Sequence, residues 1–244
     1  MTDRIFQLWA YLSATPLMGL TLTLLVYLVA LAVHRRCGGH PLANPVLVAV
    51  TLLCALLWLS GVSYSRYFEG AQFVHFLLGP ATVALALPLY AQFNRVQALV
   101  IPVTVALWVG SLVAIVSAMV VAWWWGASWT SVLSLAPKSI TTPIAMGVSE
   151  KIGGLPSLTA VLVIITGIFG AAVCEPWLKW LKIRDQAAQG FAIGMSAHGI
   201  GTARAFLISE EAGAFSALAM GLNGFLTALL VPFVIPWVKL ILNP

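Results

Sequence analysis

Charge is what this sequence has least of. Only 8% of its 244 residues are charged, seven acidic and twelve basic, where a soluble globular domain carries roughly 25%. Too few charges exist to cover a soluble surface. Hydrophobic residues make up 61% of the chain, and one multi-pass membrane domain over residues 1–244 is the reading that accommodates them. Cysteine is scarce too. Cys37, Cys54 and Cys174 form no CxxC pair, which leaves no disulfide framework and no metal site to argue for. Within the long apolar runs acidic residues are almost missing, and this excludes a cation pathway built from carboxylate rings. The sequence also lacks GxSxG, HExxH and an intramembrane aspartate pair, so nothing marks an enzyme.

The surplus of basic residues gives a net charge of +5. These residues do not cluster with exposed aromatics, as a nucleic-acid surface would require. They stand in short breaks between apolar runs, where Lys and Arg orient a membrane protein. No cleaved signal is read at the N-terminus: the first apolar run ends at His34, Arg35 and Arg36, and basic residues after the run make an anchor.

A spanning helix needs about 20 apolar residues, so the uncharged runs map the crossings. Residues 17–33 give the first span, with 1–16 as an interfacial helix leading into it. Residues 44–60 give the second. The aromatic and charged mix at 61–72 reads as an interfacial loop, and 74–94, with Pro80 and Pro88 inside, as a third span. Residues 96–137 contain no charge and are about twice as long as one crossing. They must turn, and the tryptophan cluster at 123–129 is the place. Residues 157–174, 186–208 and 212–242 complete the map, with a charged loop at 175–185.

Residues 131–148, interrupted by Pro137 and Pro143, pose a topological conflict. With Arg35 and Arg36 in the cytoplasm, Arg95 also lies inside and the tryptophans outside. A single crossing by 131–148 would then deliver Lys179, Lys182 and Arg184 to the outside, against the positive-inside rule. A segment that dips in and returns puts them inside. Such irregular backbone is tolerated at membrane depth only inside protein or along a cavity, and broken helices are where transporters bind substrate. A proline-kinked ordinary helix is the plain alternative. The expected fold is therefore an all-α polytopic bundle with broken or re-entrant helices. A short echo between residues 78–83 and 135–140 is what an internal inverted repeat would leave, and chance likeness between apolar segments explains it equally well.

Two basic residues stand inside apolar stretches beside helix-breaking residues. Lys138 lies in PKSITTPIA at 137–145. Ser139, Thr141 and Thr142 are suited to cap a half-helix there, and a helix N-terminus plus a full positive charge attracts a carboxylate or phosphate. A lysine snorkelling from a surface loop is the alternative. Arg204 follows Gly199, Gly201 and Thr202; its planar fork matches a carboxylate, or else it pairs structurally with Glu210 or Glu211. His198 relays a proton or is a satisfied structural histidine. Glu210 and Glu211, then Glu150, are the acidic candidates for proton coupling, or plain loop charges. Pro80, Pro137, Pro143, Gly199 and Gly201 are the expected helix breaks. Gly190 and Gly194 read as close helix packing.

The stretches PKSITTPIA at 137–145, GTAR at 201–204, PATVALA at 80–86 and the Asn44, Pro45 pair together resemble the LrgB/CidB family of bacterial membrane proteins, over roughly residues 17–240. The resemblance implies a multi-pass protein of the bacterial inner membrane. It implies one of two activities: antiholin-like control of murein hydrolase export and lysis, or carriage of small monocarboxylates such as glycolate, glycerate, lactate or pyruvate, as in the plastid glycolate/glycerate carrier. It also implies a small LrgA/CidA-type membrane partner. Beside the resemblance, the residues favour carriage, since a lysis regulator has no need of Lys138 and Arg204 at helix breaks. On that reading Lys138, Ser139, Thr141, Thr142, Thr202 and Arg204 bind the substrate and no cofactor is required. H⁺ or Na⁺ is the coupling ion, and homo-oligomerisation is open.

Overall fold

A computed structural model describes residues 17–39 and 43–242. The expected interfacial helix at 1–16 lies outside the described residues. Everything regular among them is α-helix, and they divide into two compact units, residues 1–86 and 87–244.

In the first unit, α1 (Leu17–Arg36) packs against both α2 (Pro45–Ser60) and α3 (Tyr64–Ala84). Asn44 starts α2 by accepting from the Val46 and Leu47 amides at 2.9 and 3.4 Å, Pro45 fits its first turn, and Gly61 ends it in the left-handed conformation. These are the expected signals of a helix start and stop. The interfacial loop expected at 61–72 is corrected: most of it is the first half of α3. Tyr67 there bonds the Thr23 hydroxyl at 2.7 Å, and Gly19 of α1 brings that helix against the backbone of Tyr67 and Gly70. The aromatic and charged mix belongs to a packed helix. Pro80 lies inside α3 without ending it.

The second unit runs through α4 (Ala86–Ala91), α5 (Phe93–Ala98), α6 (Val100–Trp124), α7 (Trp129–Leu135), α8 (Thr142–Ile152), α9 (Pro156–Trp180), α10 (Gln186–Ile208) and α11 (Glu210–Leu242). The third span expected at 74–94 is thus redrawn as the end of α3 and the short α4 and α5. The turn expected in the tryptophan cluster is present: Gly126 is left-handed (φ 78°), and Ser128 caps α7 through the Ser131 amide.

The broken element is real, and it returns. Residues 136–141 are not helical. Beyond them α8 comes back beside α7: the Leu155 amide donates to Ser134 Oγ at 2.8 Å and Thr159 Oγ1 to the Ser134 carbonyl at 2.9 Å. α9 therefore starts on the side where α6 ended. It finishes on the side where α6 began, because Asp185, just after it, pairs with Arg95 at 2.8 Å. Lys179, Lys182 and Arg184 thus share a side with Arg95, as the positive-inside rule demands.

α10 is the fold's largest departure from its sequence pattern. By length and composition it is one of five helices able to cross a membrane, yet His198 sits at φ 41°, ψ −133° in its middle. The chain reverses there. Gly201 comes within contact of Ile193, eight residues earlier, and Ile193 and Ala205 join one apolar cluster. Glu211, beyond the second arm, returns to Arg95 at 3.3 Å. α10 is therefore a second hairpin, entering from the Arg95 side, while α7 and α8 enter from the tryptophan side. The segments whose sequences echo each other differ, since 78–83 is helical and 136–141 is not.

Small residues seat the second hairpin. A Cβ on Gly190 or Gly194 would strike the backbone of Ala212 or Ser216 in α11, and one on Gly167 or Gly170 of α9 would strike His198 or Ala197. Without a hydrophobic drive between helices in lipid, such close backbone approach is what holds them.

Candidate functional site

The hairpin tips meet around one buried amide. Asn223 of α11 is fully buried. Its Nδ2 donates to the Ser139 carbonyl of the first tip at 3.3 Å and to the Met195 carbonyl beside the second at 3.2 Å. Its Oδ1 accepts from Ser111 Oγ of α6 at 2.8 Å and Thr227 Oγ1 at 3.1 Å. One side chain thus ties both hairpins to α6 and α11, with every polar atom used. Sequence reasoning passed over it; a lone asparagine in the apolar run 212–242 was the available signal, since polar groups at membrane depth are costly unless satisfied.

His198 stands at the second tip, where its Nε2 and the Val163 carbonyl are 2.9 Å apart. Thr202 Oγ1 lies 2.8 Å from the His198 carbonyl and 2.9 Å from Ser216 Oγ, closing the turn onto α11. The break expected at Gly199 and Gly201 falls at His198 instead: Gly201 serves the close return of the chain, and the strained backbone is one residue before Gly199.

Lys138 stands at the first tip, within electrostatic reach of His198. It is half-buried and faces a cavity of about 970 Å³ walled by α6, α9 and α10. Among the described residues, no acid pairs with its ammonium and no hydrogen bond reaches it. Ser139 lines the same cavity, its hydroxyl likewise without a hydrogen bond. Thr141 and Thr142 open α8 beside the tip but do not line the cavity; Thr141 makes no side-chain cap.

Arg204 is placed differently. Its Nη2 and Nε donate to Glu175 Oε2 at 2.8 and 3.2 Å, and Lys179 holds the other oxygen at 2.7 Å. Its partner is Glu175 of α9, correcting the expectation of Glu210 or Glu211, and it does not line the cavity. Glu211 joins Arg95 and Asp185 in an ion cluster at the membrane edge. Glu210 and Glu150 are exposed. The structure thus gathers Lys138, Ser139, His198 and Thr202 at the tips and leaves Arg204, Glu210, Glu211 and Glu150 away from them. No cluster of metal ligands occurs among the described residues.

Residues 23–237, which include both hairpins and the buried polar hub, match the LrgB-like family. The chain belongs to the LrgB family. It is 38% identical to the uncharacterized protein YwbG of Bacillus subtilis over 219 residues, 90% of this chain and 97% of that one. It is 36% identical to YxaC of the same organism over 88% of this chain and 93% of that one. At 29% identity it is similar to antiholin-like protein LrgB of Bacillus mycoides, over 93% of this chain and 98% of the relative. No solved structure gives a significant match. This LrgB-family chain is a multi-pass membrane protein with its polar centre at the two hairpin tips.

Proposed function

We propose that this LrgB-family protein is a secondary carrier of small monocarboxylates of the glycolate, glycerate, lactate and pyruvate kind, in the bacterial inner membrane. The observation that carries the reading is the unpaired Lys138 ammonium at a mid-chain helix break, facing a cavity. A charge kept at membrane depth without a partner is expensive, and a substrate carboxylate supplies the missing partner. The N-terminal end of α8 adds positive dipole at the same place. Oppositely entering hairpins also suit alternating access, in which each tip controls one face. Lys138 and Ser139 are the anchors on this proposal, with Thr141, Thr142, Thr202 and His198 around them. Arg204 reaches substrate only by releasing Glu175. H⁺ or Na⁺ coupling and an LrgA/CidA-type partner belong to the same proposal.

The names of the relatives speak more directly for a second reading, in which the protein is an antiholin-like regulator of murein hydrolase export and lysis. The experiment that separates them is uptake of labelled glycolate, lactate and pyruvate into proteoliposomes under an imposed pH or sodium gradient, with and without the small partner. Saturable uptake that Lys138→Gln abolishes supports carriage. Absence of uptake, with lysis control intact in Lys138→Gln cells, supports the regulator.

A further inference from the structure

The Lys138 cavity has an inner and an outer end. α6 starts on the Arg95 side, α9 finishes there and α10 enters from it. Along them the wall runs from Leu99 to Ala114, from Leu178 back to Thr166, and from Ala187 to Ser196. Asp185, paired with Arg95 at 2.8 Å, marks the outer end. Ala114, Thr166 and Ser196 are the wall residues farthest along their helices from it. Asn223 holds the first tip at the same depth, because its Nδ2 bonds the Ser139 and Met195 carbonyls together. Lys138 and Ser139 therefore meet Thr166 at the inner end.

The polar side chains at that end are not all free. Ser196 Oγ is committed, donating to the Ala192 carbonyl at 2.7 Å and lying 3.2 Å from Cys174 Sγ. Lys138, Ser139 and Thr166 have no hydrogen bond among the described residues. Thr166 is the unexpected member. A hydroxyl inside a helix can satisfy itself on the carbonyl four residues earlier, as Thr104, Ser196 and Thr202 do at 2.7 to 2.8 Å. Thr166 leaves its hydroxyl to the cavity instead, at a depth where an unmade hydrogen bond is costly. Its place is fixed: the preceding turn of α9 holds His198 through the Val163 carbonyl, and the adjacent Gly167 is packed against the His198 ring.

A carboxylate only accepts. Lys138 and Ser139 are neighbours on one tip and supply an ammonium and a hydroxyl to it. Thr166 reaches the inner end from a different helix, and a hydroxyl both donates and accepts. It suits the atom beside a carboxylate: a hydroxyl or an oxo group on carbon 2.

We propose that Thr166 is the specificity-determining residue of the Lys138 site, its hydroxyl bonding the oxygen on carbon 2 of the substrate, so that the site prefers 2-hydroxy and 2-oxo acids to unsubstituted acids of the same length. The proposal rests on the carrier reading for what the site is for, and it names the residue that tells glycolate from acetate. An unsubstituted acid leaves the Thr166 hydroxyl without a partner. The preference is about three- to tenfold, the worth of one neutral hydrogen bond.

The test is equilibrium binding of labelled glycolate, acetate, lactate and propionate to the full chain in nanodiscs. Wild type is compared with Thr166→Val, Thr166→Ala, Thr166→Ser and Lys138→Gln. The readout is the ratio of affinities within each pair of acids, from which any loss of folded protein cancels. Wild type should prefer glycolate to acetate, and lactate to propionate. Thr166→Val and Thr166→Ala should bring both ratios close to one without weakening acetate. Thr166→Ser should keep the preference, and Lys138→Gln should lose all the acids. No preference in wild type, or wild-type ratios in both Thr166→Val and Thr166→Ala, would overturn the proposal. Flux separates it from the carrier reading. Acids bound through Lys138 and sorted by Thr166 but never moved contradict the carrier and leave the proposal standing. Lys138-dependent flux with ratios indifferent to Thr166 does the reverse.

Discussion

Lys138 and Arg204 look alike in sequence, each a basic residue in an apolar run beside helix breakers and hydroxyls. In the fold they have opposite surroundings. Arg204 sits on the returning arm of the second hairpin, with its Nε and Nη2 donating to Glu175 and with Lys179 behind that acid. Lys138 sits at the tip of the first hairpin, facing a cavity, with no acid beside it among the described residues. The difference comes from backbone geometry. The reversal at His198 carries Arg204 back toward the charged side, whereas the non-helical 136–141 leaves Lys138 at the innermost point of its excursion. A cation at a hairpin tip is available for chemistry, and one on a hairpin arm is available for pairing.

The comparison is broken most severely at Lys138. Lys138→Gln should weaken substrate binding about ten- to a hundredfold, the worth of a hydrogen bond to a charged group, as measured by initial uptake rates against concentration. Asn223→Ala comes next. It strips the partners from the Ser139 and Met195 carbonyls at once, and should cost at least about 2 kcal/mol, given the penalty for each buried group left unsatisfied. The readout is a lower melting temperature in nanodiscs together with lost flux; unchanged melting would mean that the two tips are not held by this amide. The smallest effect is expected at the other cation. Arg204→Gln combined with Glu175→Gln should lower stability by less than about 1 kcal/mol, the value of a partly exposed ion pair, and leave flux near wild type. Loss of flux in a stably folded double variant would erase the distinction between the two basic residues.

Much of this was legible in the sequence. The charge-free length of 96–137 with its tryptophans located the turn after α6, because a helix that long cannot stay in one bilayer thickness. The positive-inside conflict at Lys179, Lys182 and Arg184 located the first re-entrant hairpin. The second hairpin was hidden, since 186–208 has the length and hydropathy of a plain span. A break near Gly199 and Gly201 was legible, but not that it falls at His198 and turns the chain back on itself. The helix through 64–72 was misread for the converse reason: charged and aromatic residues suit an interface, yet Gly19 of α1 and Gly70 let two backbones meet there. At the site, residue type gave Lys138 its candidacy, but Arg204's partner was set by a contact with α9, 29 positions away in the chain, which no local spacing reports.

The most direct test of the central claim, that the positive charge at the first hairpin tip is the group that acts, is charge rescue. In a chain with Cys37, Cys54 and Cys174 replaced by alanine, Lys138→Cys is reconstituted in proteoliposomes. It is then treated with aminoethyl, sulfonatoethyl or methyl methanethiosulfonate, and monocarboxylate uptake is measured. The account predicts negligible uptake before treatment, recovery with the aminoethyl reagent alone, and none with the anionic or neutral reagents. Equal uptake under all three treatments, or full uptake in the untreated Lys138→Cys protein, would contradict it.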